Sequence, residues 1–311
     1  MSNVLVLGHK NPDTDSICSS IAYATLKDKL GEQAEPVRLG ELNEESKYAL
    51  KYFQTKAPRM ISGVSEETER VILVDHNEKQ QSAIDIDKVK VIEVIDHHRI
   101  ANFETSEPIY YRAEPVGCTA TIIYKLFLEN NVTVEKNVAG LMLSAIISDT
   151  LLFKSPTTTN QDIEIGKELA KIAKVELEDY GLSMLEAGTN YSDKSMEELV
   201  ELDSKDFNLS GKRVKVSQIN VVNPAEILRN QEEIKQVLKK NTEKQSLNLS
   251  ILMITDILNS NSIILAFGED YKAIEYAFNV TFEQNLVLLE GVVSRKKQMV
   301  PQLTKAFEAL Q

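Results

Sequence analysis

Cysteine is scarce: the 311-residue chain has two, Cys18 and Cys118. They form neither a metal-spaced nor a redox pair, and each falls among small residues in a helical pattern, so both read as reduced and partly buried. Long hydrophobic runs are missing too, which excludes a membrane span, and the N-terminus lacks a basic region followed by a long apolar one. A cytoplasmic protein with no membrane partner is expected. Positive charge is in deficit: 35 Lys and Arg stand against 47 Asp and Glu, a net charge of −12. General adhesion to nucleic acid or an anionic membrane is therefore disfavoured, and any anion site must be built locally. Internal repeats and low-complexity tracts are absent. The length favours two domains, and a hydrophobic share of 42% supports real cores. Histidine is confined: His9, His76, His97 and His98 are the whole set, each within a few residues of an aspartate.

The apolar run Val4-Leu5-Val6-Leu7 reads as a buried strand. A helical pattern with Ile17, Ile21, Ala24 and Leu30 follows, closed by Gly31 as a C-cap. Between them His9, Asp13 and Asp15 sit on a strand-to-helix loop, where open α/β sheets place their ligands. Asx turns and helix capping would explain the two acids without any ligand. Further strands are expected at Pro36-Val37-Arg38-Leu39, at Val71-Ile72-Leu73-Val74 followed by Asp75-His76-Asn77, and from Val89 to Ile95 followed by Asp96-His97-His98. Three apolar strands thus end in Asp or His, and in a parallel sheet such ends lie side by side. Asn43 caps a helix bearing Tyr48, Tyr52 and Phe53. Helices are expected over 117–131 and 136–148, the second nearly apolar all round and ending at Asp149-Thr150. A carboxylate there is either a partnered buried acid or a ligand. The Thr157-Thr158-Thr159-Asn160 run caps the next helix.

Residues 189–194 have a hinge-like composition, which separates domains over 1–188 and 195–311. Beyond the hinge, strands over 212–222, 249–257 and 263–267, a turn over 259–262, and helices opened by Asn223-Pro224, by about Asp270 and by Pro301 indicate a smaller α+β domain with a mixed or antiparallel sheet. The fold class is α/β: an N-terminal doubly wound, mostly parallel sheet domain with this second domain joined by the hinge.

The strand-end residues are His9, Asp13, Asp15, Asp75, His97 and Asp149. So many acids at one sheet edge would repel or hold protons unless given counter-charge. Two divalent metals would settle the site. Carboxylate-rich ligation with some imidazole suits Mn²⁺, with Mg²⁺ or Co²⁺ as substitutes, and suits structural zinc poorly. A shared carboxylate would hold the ions ~4 Å apart, and a bridging water would become a hydroxide nucleophile. Ser294-Arg295-Lys296-Lys297-Gln298 puts three cations in a row. It is either an ordinary solvated charge run or, if two domains close over a phosphate, a local anion clamp.

Asp96-His97-His98 is the DHH motif of the DHH phosphoesterase superfamily. Together with His9-Lys10-Asn11-Pro12-Asp13-Thr14-Asp15-Ser16, Val74-Asp75-His76-Asn77 and the Ser294–Gln298 segment, it makes the whole chain resemble the family II, manganese-dependent inorganic pyrophosphatases. The resemblance implies a DHH domain followed by a substrate-binding DHHA2-type domain, and hydrolysis of pyrophosphate to two phosphates. It implies one ion on His9, Asp13 and Asp75, a second on Asp15, Asp75, His97 and Asp149, and pyrophosphate on His98, Lys205, Arg295 and Lys296. Asp75, His98, Asp149, Lys205, Arg295 and Lys296 are then the catalytic set. Asp96 orients its neighbours, His76 stands beside the ligands, and Lys297 is left to solvent. The resemblance also implies Mg²⁺ arriving with the substrate, closure of the second domain, and a homodimer formed through the first. The regulatory nucleotide-binding insert of some relatives has no room between Asp75 and Asp149.

The rival within the superfamily is a nuclease of short oligonucleotides, a cyclic-dinucleotide phosphodiesterase or an exopolyphosphatase. Nuclease-type relatives commonly carry a glycine-rich motif in the second domain, and this chain has no Gly-Gly pair. A non-catalytic metal-binding protein on the same fold would be free to lose ligands, yet all of them, and the cationic segment, are present together.

Overall fold

The computed structural model describes residues 4–189, 191, 194–283 and 286–310. The chain divides into two compact units, Met1–Gly188 and Thr189–Gln311. The expected hinge at 189–194 includes residues 190, 192 and 193, which lie outside the described residues.

The first unit holds six strands: β1 (Val4–Leu7), β2 (Ala34–Arg38), β3 (Arg59–Met60), β4 (Arg70–Val74), β5 (Lys90–Asp96) and β6 (Tyr110–Ala113). All pair in parallel, in the order β3-β2-β1-β4-β5-β6. The chain builds outward from β1 to β3, then crosses to β4 and builds the other way. The reversal falls between β1 and β4, where a doubly wound sheet opens its ligand crevice. β1, β4 and β5, the strands expected to end in Asp or His, are consecutive neighbours. Leu5, Leu7, Val71, Leu73 and Val94 point to one face, where Ile61, Val64, Ala83 and Ile86 cover them. Alternation turns Val4, Val6, Ile72 and Val74, all buried, to the other face. Helix α1 (Thr14–Lys29) lies against β1 and β2, and α3 (Thr119–Glu129) against β5. β3, exposed, and β6, half-exposed, are short and carry too little apolar alternation to be read from sequence.

Local chemistry sets the helix ends. Asp13 caps α1 by accepting from the Ser16 N–H, and Gly31 follows it with a positive φ of 88°. Asn43 caps α2 (Glu44–Tyr52). Helix α4 (Lys136–Thr150) is buried almost all round and packs on α1 and α3. It stops in a run of three left-handed residues, Leu151, Leu152 and Phe153, with φ of 47°, 53° and 65°. Each such non-glycine residue costs ~1–2 kcal/mol. The run persists because its side chains seat against glycines. Phe153 lies over Gly166 of α5 (Asn160–Ala173), and Leu152 over Gly181 of α6 (Leu177–Gly188). The expected cap in the threonine run is Thr159, which forms a reciprocal capping box with Asp162.

The second unit is a five-stranded mixed sheet, β11-β10-β9-β8-β7, from β7 (Ser204–Leu209), β8 (Lys212–Val221), β9 (Leu249–Asp256), β10 (Asn261–Phe267) and β11 (Leu286–Glu290). β8 and β9 run parallel across the crossover helix α7 (Gln231–Gln245), and the other pairs are antiparallel. Ile234 and Leu238 of α7 cover one face, and Leu303 and Phe307 of α8 (Val300–Ala309) cover the other. The turn expected over 259–262 is shorter, since β10 already begins at Asn261.

Gly140 in α4 faces the Phe53 ring, which packs on Tyr52 and Tyr180 with centroids 5.0 and 5.2 Å away. A Cβ at 140 would stand 2.2 Å from Phe53 Cε1. Glycine-to-alanine ordinarily favours a helix by up to about 1 kcal/mol. Here the sign is expected to reverse: Gly140→Ala costs about 1–3 kcal/mol in a denaturant melt, and Phe53→Leu in the same chain restores part of it.

Candidate metal centre

Three consecutive strand ends and two helices deliver the site. β4 leads straight into Asp75, which is 1% exposed and left-handed, with φ of 60°. That unusual backbone turns the carboxylate into the crevice, where its two oxygens face different partners. Oδ2 stands 3.4 Å from His9 Nε2 and accepts from Ser16 Oγ at 2.7 Å. Oδ1 stands 3.5 Å from His97 Nε2 and accepts from Thr119 Oγ1 at 3.3 Å. His9 Nε2 also meets Asp13 Oδ2 at 3.3 Å, and His97 Nε2 meets Asp149 Oδ2 at 3.8 Å. Asp15 is fully buried and accepts from Ser19 Oγ at 2.5 Å and from the Thr119 N–H at 2.7 Å. The latter donor is at the N-terminus of α3, which favours a carboxylate.

His9 and His97 therefore face opposite oxygens of one carboxylate. His9, Asp13 and Asp75 offer atoms within 4.8 Å of one another, as do Asp15, His97 and Asp149. Asp75, His97 and His98 form a third such group. The two imidazoles of the motif differ in how they are held. His97 Nδ1 donates to the Val116 carbonyl at 3.1 Å, which aims Nε2 at the acids. His98 is half-exposed, and its Nδ1 lies 2.9 Å from Asp96 Oδ1. Buried Asp96 also accepts from the His98 N–H and from Asn77 Nδ2. Asp96 thus positions His98, while His97 is the better aimed donor.

The electrostatics are those of a site short of positive charge. Burial and the charges of Asp15 and Asp13 push the Asp75 carboxyl up to about 7. Burial, with Asp15, Asp13 and Asp75, pushes Asp149 well above the usual range. Burial would lower both imidazoles, but Asp13 lifts His9 to about 9 and Asp75 lifts His97 to about 9. Among the described residues no lysine or arginine pairs with these acids. The donor set is oxygen-rich with two imidazole nitrogens, and its orienting partners are satisfied, which fits a hard divalent ion such as Mn²⁺ or Mg²⁺. Cys18 and Cys118 are buried, and burial and Asp15 push their thiols well above ordinary, so no thiolate competes. His76 is buried, with Nδ1 on the Val74 carbonyl and its ring edge-on to His9.

The remaining expected residues lie in the second unit. Ser294 follows β11 and caps a single π-helical turn, Arg295–Met299, its side chain accepting from the Lys297 N–H. Gln298 Oε1 accepts from the Val293 and Ser294 N–H groups, and its Nε2 donates to the Gly291 carbonyl. Lys296 and Lys297 are exposed, as is Lys205 on β7. Arg295 is buried and already engaged: Nη1 donates to the Asp203 and Val216 carbonyls, and Nη2 to Asp203 Oδ1 at 2.9 Å. It is less free than its place in a charge run implies. Sequence reasoning missed Ser16 and Thr119, which hold the Asp75 oxygens, the Val116 carbonyl, which holds His97, and Asn77, which holds Asp96. For Ser16 and Thr119 the one signal is the small hydroxyl residues that begin α1 and α3.

The matching family models are the DHH family N-terminal domain over residues 3–146 and the DHHA2 domain over 182–306. The chain is 58% identical over 307 residues to the manganese-dependent inorganic pyrophosphatase of Bacillus subtilis strain 168, covering 99% of each chain. It is 56% identical to the probable manganese-dependent inorganic pyrophosphatase of Bacillus cytotoxicus, covering 100% of each. Among solved structures it resembles a putative family II inorganic pyrophosphatase of Methanococcus jannaschii, with TM-score 0.74 and 41% identity over 97% of this chain and 99% of that one.

Ion entry must displace the protons that His9, His97 and the buried acids hold at neutral pH through their raised pKa values. Mn²⁺ affinity is expected to rise from pH 6 to 9, with roughly two or more protons released per chain at pH 7.5. Titration calorimetry in buffers of differing ionisation enthalpy reads this, and a pH-independent affinity without proton release would contradict it.

Proposed function

The chain belongs to the manganese-dependent inorganic pyrophosphatases of family II, and on that footing we propose that it hydrolyses pyrophosphate to two orthophosphates at the centre described above. The observation that carries this reading is Asp75, whose two oxygens face the two imidazoles from opposite sides. In the proposal His9, Asp13 and Asp75 hold one Mn²⁺, and Asp15, Asp75, His97 and Asp149 hold a second. When bound, such an ion pair lowers the pKa of a water to near neutrality and neutralises phosphoryl charge.

The chain's own residues then bind and orient. Asp96 fixes His98 through Nδ1, leaving the other ring nitrogen to bind a phosphoryl oxygen. Lys205 and Lys296 supply mobile point charges, and Arg295, anchored by Asp203, supplies a fixed one. In-line displacement leaves a departing phosphate whose charge these cations stabilise. The second unit, over 195–311, acts as the substrate-binding domain, joined by residues 189–194 and closing once pyrophosphate arrives with Mg²⁺. Co²⁺ or Mg²⁺ can substitute in the protein sites. We assign the enzyme to the cytoplasm as a homodimer formed through the first domain. No helix among the described residues is long and apolar enough to cross a membrane.

Phosphate release from pyrophosphate should appear with Mn²⁺, vanish on chelation and return on adding the ion back. Asp75→Ala is expected to lose Mn²⁺ binding and nearly all turnover. Lys296→Ala should bind Mn²⁺ normally and lose roughly 10²-fold in kcat/KM; normal hydrolysis by that variant would refute the clamp. Preferential cleavage of a dinucleotide would move the assignment to another DHH phosphoesterase.

A further inference from the structure

Glu45 is an acid turned inward without a cation. Its neighbour Glu44 behaves as a first-turn acid usually does, extending to solvent and pairing with Lys47 at 2.6 Å. Glu45 instead directs Oε2 into the protein, where it accepts from Ser148 Oγ at 2.5 Å and Thr14 Oγ1 at 3.4 Å. Among the described residues no Lys, Arg or His forms an ion pair with it. Burial pushes its carboxyl up to about 6, against the pull of the two hydroxyls.

The two hydroxyls belong to different elements. Thr14, fully buried, stands between Asp13 and Asp15 at the start of α1. Ser148 precedes Asp149 in the last turn of α4. One carboxylate oxygen therefore spans the loop that offers two of the acids and the helix end that offers a third. The tie is backed from behind. A Cβ at Gly188 would stand 2.2 Å from Glu45 Cγ, so glycine there leaves the stem its space, and the packed stem has little room to swing away. A side chain serving stability alone would be better replaced by an apolar one, since a partly buried acid without a cation carries a desolvation cost.

We propose that Glu45 is a positioning residue: by holding Thr14 and Ser148 to one oxygen, it sets the separation between the Asp13–Asp15 loop and Asp149, and so the spacing of the two ion sites. This rests on the reading that these acids hold two ions. Thr14→Val and Ser148→Ala each remove one arm of the tie without touching an ion ligand.

The test compares Mn²⁺ binding by titration calorimetry in wild type, Glu45→Ala, Glu45→Gln and Ser148→Ala, alongside the melting temperature of each metal-free protein. Glu45→Ala is expected to weaken binding of at least one ion by roughly tenfold or more, within the range typical of residues that orient ligands, with a metal-free melting temperature near wild type. Glu45→Gln keeps an acceptor oxygen at the same reach and should bind close to wild type. Ser148→Ala should weaken binding in the same direction, and combining it with Glu45→Ala should add little. Wild-type affinity in Glu45→Ala overturns the proposal. So does a Gln variant as weak as the Ala variant, which would make charge rather than reach the cause. If Glu45→Ala melts well below wild type, Ser148→Ala decides, and wild-type affinity there overturns the proposal. Wild type that binds no pair of ions overturns it together with the reading beneath it, and is recognised because the unaltered protein fails.

Discussion

Like charges held close in a dry crevice are the constraint from which the rest of this molecule follows. Asp15 and Asp75 are buried and Asp149 nearly so, beside a more exposed Asp13. No such arrangement is stable as bare anions. The ion-free protein answers with borrowed protons, on His9, His97 and the carboxyls themselves. That answer is provisional, because each proton occupies a lone pair that a cation would use. The surrounding hydroxyls and amides of Ser16, Ser19 and Thr119 hold the oxygens in place without neutralising them. Such a shell orients the acids and leaves the charge to be supplied from outside.

The second unit carries the opposite problem, that of keeping cations exposed in a protein of net charge −12. Its solution is to divide the labour. Gln298 stitches the Ser294–Gln298 turn through three backbone bonds, and Asp203 with two carbonyls pins Arg295. Lys205 and Lys296 are then presented on a rigid scaffold with exposed, unpinned tips.

Much of this was legible because the strands that matter are apolar and short, and each is followed at once by polar residues. Val4–Leu7, Val71–Val74 and Val89–Ile95 announce themselves by composition, and the parallel rule then brings His9, Asp75 and His97 together. The polar edge strands were not legible: β6 and β7 gain their pairing from a neighbour already in the sheet rather than from their own pattern. Lys205 could be named by resemblance, but its place on β7 could not be read from periodicity. Arg295 misleads for a related reason. A charge run says nothing about which member is buried, and Asp203, the residue that pairs with Arg295, lies far away in sequence. The orienting shell escaped because a serine or threonine beginning a helix looks like a cap whether or not it also holds a ligand. The left-handed backbone of Asp75 left no mark at all, since no glycine or asparagine flags it.

The three left-handed residues after α4 tie Asp149 to positions far from the crevice. Phe153 and Leu152 fit only while residues 166 and 181 have no side chain. Volume is therefore shared across the pairs 153–166 and 152–181, and an increase at one site must be matched by a decrease at the other. Over evolutionary time these pairs should drift as coupled units, with compensating changes in size, even though none of the four residues touches the reacting groups.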